Sequence, residues 1–179
     1  MSGGVDTRNV IDVYRGKPVE AIVADLDTHR IALEIAIENL ERDFNMGTIV
    51  RTANAFNVAR VHIIGRRQWN KRGAMKTDAY LHVEYHATSA DFVKAMRERG
   101  RTIVSIDIVP GARQLHKAPL PTDAVLVFGS EAHGISAELL EASSDIVAIE
   151  QFGSTRSVNV GVAAGIAMYT WVQQHVLTR

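Results

Sequence analysis

Apolar runs of strand length alternate along this chain with segments of helical period, and this alternation constrains the fold most. Strands are predicted at residues 31–37, 60–64, 102–108, 124–128 and 145–149, with a weaker segment at 80–86. Helices are predicted between them, after Pro18, from about Met46, over 89–99, after Ser136 and from Ser157 to about Gln174. Because parallel strands need crossovers that helices supply, the pattern predicts an α/β protein with a mainly parallel sheet flanked by helices.

Length and composition favour one domain over residues 1–179, with residues 1–17 as a flexible N-terminal segment. The chain has 179 residues, 46% of them hydrophobic, and no cysteine. The missing cysteine excludes disulfides, cysteine-ligated metals and thiol nucleophiles, and it favours a cytoplasmic location. The longest nearly apolar run, 160–172, is too short to cross a bilayer, so we expect no membrane association.

The charges balance overall but are unevenly distributed. Twenty basic residues oppose twenty acidic ones, which argues against a uniformly positive nucleic-acid-binding surface. Residues 65–77 nevertheless carry five basic side chains and no acid, with Trp69 among them. We call residues 66–76 the basic loop. It is either a solvated loop or a local RNA contact.

Common nucleotide and metal motifs are absent. Ile135 stands where a phosphate-binding P-loop needs lysine, and no G-x-G-x-x-G follows the first strand, which disfavours a small kinase or dehydrogenase. His82 and His86 are four residues apart, but without the glutamate of an H-E-x-x-H motif, so we expect no metal site.

Three loops after predicted strands are rich in glycine and polar residues: 45–51, 129–136 and 150–159. In parallel sheets the carboxyl ends of the strands form the binding edge, so these loops are the candidate site. On local grounds Asn45 and Ser157 are helix N-caps, and Arg51 is an exposed helical residue. Gly129 and Gly134 allow a ligand to approach the backbone closely.

Together and in this order, the three stretches resemble the signature motifs of the SpoU (TrmH-like) class of RNA methyltransferases in the SPOUT superfamily. The resemblance implies methyl transfer from S-adenosylmethionine to a ribose 2′-hydroxyl of tRNA or rRNA. It also implies a homodimer and a C-terminal deep trefoil knot, which periodicity does not predict. Asn57 and Ala132 depart from glycines that are common in the class, and they affect turn geometry only.

Motif by motif, the resemblance assigns functional residues. Those with catalytic roles are Asn45, Arg51, Glu131, Ser157 and Asn159. Those around the cofactor are Phe128, Gly129, Ile149, Gln151, Ser157 and Val158. The RNA-contact candidates in the basic loop are Arg66, Arg67, Trp69, Lys71 and Arg72. Because guanidinium stays protonated in proteins, we assign Arg51 to charge stabilisation and not to proton removal. The alternative is a non-catalytic RNA-binding protein that keeps this fold.

Overall fold

A single sheet of seven parallel strands runs through the computed structural model, which describes residues 10–39, 45–130 and 133–178. The strands are β1 (Ile31–Asn39), β2 (Val58–Gly65), β3 (Val83–His86), β4 (Thr102–Ile106), β5 (Arg113–Gln114), β6 (Ala124–Phe128) and β7 (Asp145–Ala148). The helices are α1 (Val19–Asp27), α2 (Met46–Ala55), α3 (Ser89–Glu98), α4 (Ala137–Ala142) and α5 (Val160–Val172). The predicted α/β class is confirmed.

The strand order is β3-β2-β1-β6-β4-β7-β5, so β6 lies between β1 and β4. The carboxyl ends of β4, β6 and β7 therefore meet at the middle of one sheet edge. Strand order does not define how the chain threads, and the knot remains a prediction.

Helices cover both faces of the sheet, as the double-sided hydrophobicity of the strands requires. Alternate β1 residues, including Leu33 and Ile35, pack in the larger core with α2 and α5. Ala36 faces the opposite side and packs in a second core with Phe92 of α3 and Leu139 of α4. None of the described helices has the length and apolar character needed to span a membrane.

Helix α5 begins later than the sequence predicts, and its cap is a different residue. Asn159 is the N-cap, and its Oδ1 accepts hydrogen bonds from the backbone N–H groups of Gly161 (3.0 Å) and Val162 (3.3 Å). The prediction of Ser157 as the cap is wrong. Asparagine and serine cap equally well, so local sequence does not choose between them.

The described part of the predicted N-terminal segment packs against the fold. Tyr14 is buried beside Ile22 and Tyr80. Its hydroxyl donates to Asp25 Oδ2 at 2.5 Å, which ties residues 10–17 to α1. Residues 1–9 lie outside the described residues.

Candidate active site

A cavity of about 810 Å³ opens at the carboxyl ends of β4, β6 and β7. Its size is ordinary for a small-molecule site. All six residues that we assigned to the cofactor line it: Phe128, Gly129, Ile149, Gln151, Ser157 and Val158. The second and third motifs therefore form one concave surface.

The loop after β6 closes on itself at the wall of this cavity. Ser130 and Gly134 exchange backbone hydrogen bonds of 3.0 and 2.9 Å. Gly129 lies so close to the returning chain that an added Cβ would be 2.1 Å from the carbonyl carbon of Gly134. Only glycine fits there, which accounts for the first glycine of the motif. The predicted catalytic residue Glu131 lies outside the described residues.

Asp107, just beyond β4, is a cavity residue that the motif comparison missed. Its Oδ2 accepts the backbone N–H of Ile135 at 2.9 Å, and its Oδ1 accepts that of Ile108 at 2.7 Å. The carboxylate therefore fastens the loop after β6 to the end of β4. A polar residue that ends a buried parallel strand is a signal that sequence reading offers for such a site.

Asn45 and Asn159 connect the first motif to the third. Asn159 Nδ2 donates to Asn45 Oδ1 at 2.9 Å, while Asn159 also lines the cavity. Asn45 occupies the N-cap position of α2, but its side chain makes no capping hydrogen bond, so the local interpretation of Asn45 is wrong in that respect. Gly161 lets α5 approach α2 closely, because an added Cβ would lie 3.0 Å from Thr48 Cγ2.

Arg51 lies apart from the other predicted catalytic residues. It is exposed on α2 and is not part of the cavity lining. Among the described residues, none forms a hydrogen bond or ion pair with its guanidinium. Asn45, Ser157 and Asn159 are thus close to the cavity, whereas the cation lies outside it in a single copy of the chain.

The cavity has the chemistry that S-adenosylmethionine requires. Gln151 Oε1 is buried without a hydrogen-bond partner in the described structure, which leaves an acceptor for a ligand N–H or O–H group. Apolar walls at Ile106, Phe128 and Ile149 suit an adenine ring. Glu150 lies between two residues of the cavity lining. Its pKa is below the usual range because its own backbone N–H and then His116 stabilise the carboxylate.

The basic loop packs against the first turn of α2. An added Cβ on Gly47 would meet the backbone of Gly73 at 2.8 Å. Arg66, Arg67 and Arg72 are exposed, with Arg67 lying over the Tyr85 ring at 4.8 Å. Trp69, by contrast, is half-buried against the larger core, and its Nε1 has no partner among the described residues. This burial argues against the RNA contact that we predicted for Trp69.

Lys71 in the basic loop is already paired. Its Nζ donates to Asp78 at 2.7 Å and lies 5.5 Å from the centre of the Trp69 ring. The hydrogen bond to Asp78 raises the pKa of Lys71. Lys71 is therefore less available to a phosphate than Arg67 and Arg72.

A buried polar network lies on the α3 side of the sheet, away from the cavity. His62 Nε2 contacts Glu34 at 2.8 Å, and His62 Nδ1 contacts His86 Nε2 at 3.0 Å. Burial opposes ionisation of Glu34, but the hydrogen bond from His62 and the charge of Arg101 prevail, so the pKa of Glu34 is lowered. Burial and then the neighbouring imidazole lower the pKa of His86.

Ligand atoms of His62, Glu84 and His86 lie within 4.8 Å of one another, a grouping that sequence spacing did not reveal. Glu84 already accepts hydrogen bonds from Arg99 at 2.8 and 2.5 Å, and the two imidazoles are hydrogen-bonded to each other. The grouping is thus internally paired. His82, the other member of the spacing noted in the sequence, instead contacts Asp27 at 2.8 Å.

Known proteins resemble this chain over most of its length. A tRNA (guanosine(18)-2′-O)-methyltransferase of Thermus thermophilus is 24% identical, and the match covers 80% of this chain and 76% of the relative. The enzyme of the same name from Escherichia coli K12 is 25% identical, with 76% of this chain and 61% of that one covered. This chain therefore spans about three-fifths to three-quarters of these relatives.

Solved structures share the fold. The TrmH/SpoU tRNA modifying enzyme of A. aeolicus superimposes with a TM-score of 0.78 at 22% identity, covering 89% of this chain and 83% of that one. AviRb from Streptomyces viridochromogenes, a SpoU methyltransferase solved with AdoMet, gives 0.72 at 21% identity, covering 86% and 64%. The sequence model of the SpoU rRNA Methylase family matches residues 32–169. The chain belongs to the SpoU rRNA Methylase family.

Proposed function

We propose that this chain transfers a methyl group from S-adenosylmethionine to a ribose 2′-hydroxyl of tRNA or rRNA. Membership of the SpoU family supports this proposal, as do the names of the Thermus and Escherichia relatives. The AdoMet-bound Streptomyces structure supports the choice of cofactor.

One observation carries the proposal. The second and third motifs line a single cavity, and the Asn159–Asn45 hydrogen bond of 2.9 Å ties that cavity to the helix that bears Arg51. A kinase or dehydrogenase fold would instead place a glycine-rich phosphate loop after its first strand. This arrangement accounts for all three stretches at once.

The cofactor supplies an activated methyl group, and the protein must align and activate the ribose hydroxyl. Arg51 remains a cation and stabilises negative charge as the ribose oxygen gives its proton to an adjacent phosphate or to water, while its planar fork holds that phosphate. Asn45, Ser157 and Asn159 position the ribose at the cavity. Glu131 is assigned to the same positioning role by its motif.

We further propose a homodimer in which Arg51 serves the cavity of the second copy. Val162, Ile166 and Tyr169 lie on one exposed stripe of α5, between 40% and 52% accessible. Such a stripe is typical of an interface. The glycine face of α5 is not that interface, since Gly161 and Gly165 contact α2 of the same chain. Light scattering should give a mass near twice that of one chain, and a monomer would contradict this proposal.

The basic loop and its neighbourhood are the proposed RNA surface, carried by Arg66, Arg67 and Arg72.

Methyl transfer from tritiated S-adenosylmethionine to unmodified tRNA and rRNA tests the activity, and alkali-resistant dinucleotides identify 2′-O-methylation. Calorimetry with S-adenosylmethionine, its demethylated product, ATP and NAD tests the cofactor, and we expect heat from the first two only. RNA binding without methyl transfer would favour the non-catalytic alternative.

A further inference from the structure

A short loop at the cavity entrance displays an aromatic ring that contributes nothing to the core. We call residues 152–156, between β7 and α5, the rim loop. Phe152 is 98% exposed, whereas Phe92 and Phe128 are buried and Phe56 is half-buried. Each of the other described phenylalanines packs against neighbouring side chains, whereas Phe152 does not.

A cation follows the ring on the same loop. Arg156 lines the cavity and is exposed, and in the described part of the chain no residue forms an ion pair with it. Thr155 Oγ1 donates to the backbone oxygen of Ser157 at 3.2 Å, which links the rim loop to another residue of the cavity lining. Immediately before the ring, Gln151 also lines the cavity. The rim loop thus carries a cation in the cavity lining and, four residues earlier, an exposed aromatic ring.

We propose that the rim loop holds the RNA nucleotides around the methylated ribose, with an unpaired base stacked on Phe152 and a phosphate bound by Arg156. This inference rests on the proposed function and specifies how the substrate docks. An unpaired nucleotide can leave the base stack to bring its ribose into the cavity, and an exposed aromatic ring offers replacement stacking. Arginine adds a planar phosphate contact.

Stacking is sequence-tolerant, because every base has an aromatic face. The rim loop would therefore accept unpaired loops of RNA and leave the choice of RNA to other surfaces, such as the basic loop. Duplex RNA, whose bases stay stacked, is predicted to compete poorly.

The test compares Phe152→Ala, Phe152→Trp and a control, Val13→Ala, which removes an exposed apolar side chain in the turn before α1. The probe is unmodified bulk tRNA, with methyl transfer, RNA affinity and S-adenosylmethionine affinity measured for each. We expect Phe152→Ala to raise the KM for tRNA about tenfold with unchanged cofactor affinity, as loss of one stacked base predicts. Phe152→Trp should retain wild-type KM, and so should Val13→Ala.

Arg156→Ala should weaken tRNA binding and lower the slope of log affinity against log salt by about 0.7, the value for one contact to single-stranded RNA. An unchanged KM in Phe152→Ala would overturn the inference. So would a loss of the dimer in Phe152→Ala that alone accounts for the effect, because the ring would then contact the second copy. If wild-type protein binds cofactor but methylates no RNA, the proposed function fails instead.

Discussion

Replacing Gly129 with alanine should damage the cavity selectively, and its effect can be worked out from the structure. The added Cβ would lie 2.1 Å from the Gly134 carbonyl carbon, where ordinary contacts begin at 3.4 Å, so the two backbone segments must separate by about 1.3 Å. That movement strains the paired Ser130–Gly134 hydrogen bonds. Overpacking costs about 1–3 kcal/mol, and each lost hydrogen bond about 1 kcal/mol.

A total of about 3–5 kcal/mol corresponds to a fall in Tm of roughly 6–20 °C for a chain of this size. Because the strain lies in the cavity wall, S-adenosylmethionine affinity should also fall at least about tenfold, by about 1.4 kcal/mol. Calorimetry and thermal unfolding measure both. The matched control is Gly153→Ala in the rim loop, where an added Cβ meets nothing within 4 Å. Wild-type Tm and affinity in Gly129→Ala would refute the steric argument.

Further predictions concern charge and hydrogen bonding. Arg51→Lys should lower methyl transfer about 10²-fold with unchanged cofactor affinity, by analogy with losing one oxyanion donor. A wild-type rate with a new basic limb in the pH profile would instead assign proton removal to this position. Replacing the basic residues of the basic loop with alanine should weaken RNA binding and flatten its salt dependence. An unchanged slope of log affinity against log salt would mean that the loop is merely solvated. The lowered pKa of His86 makes the folded state resist protonation, so stability present above pH 6.5 should decline as pH falls below that value. Thermal unfolding from pH 7.5 to 5.5 should show this decline, and His86→Gln should reduce it. Asn159→Asp keeps the capping oxygen but loses the donor to Asn45, so we expect lower activity with little change in Tm, and unchanged activity would count against that bond.

The sheet and the location of the site follow from local patterns in the sequence. Apolar runs such as 124–128 are buried on both faces and are long enough only for strands, so the parallel sheet could be predicted. The loops at the carboxyl ends of the strands then had to form the binding edge. The six residues that we assigned to the cofactor lie at this edge, where the order of the motifs and this rule predict them.

Contacts between distant segments could not be predicted in this way. Asn159, and not Ser157, caps α5, and its side-chain nitrogen donates to a residue 114 positions earlier in the chain. The exposure of Trp69 is likewise decided by the core beneath it. His62 and His86 each sit in an ordinary strand pattern, and only the pairing of β2 with β3 brings their rings together.

The position of β6 also constrains how the chain folds. β1 pairs with β2 on one side within a short stretch of sequence, but its other neighbour, β6, is about 90 residues away, with Glu34 opposite Val125. Strands β1, β2 and β3 can therefore assemble early, while the inner edge of β1 waits until residues 124–128 have emerged. Closing so long a loop is slow. During synthesis that edge is exposed backbone able to pair with another chain, so the pairing that brings the end of β6 to the cavity also covers the edge of β1 that could aggregate.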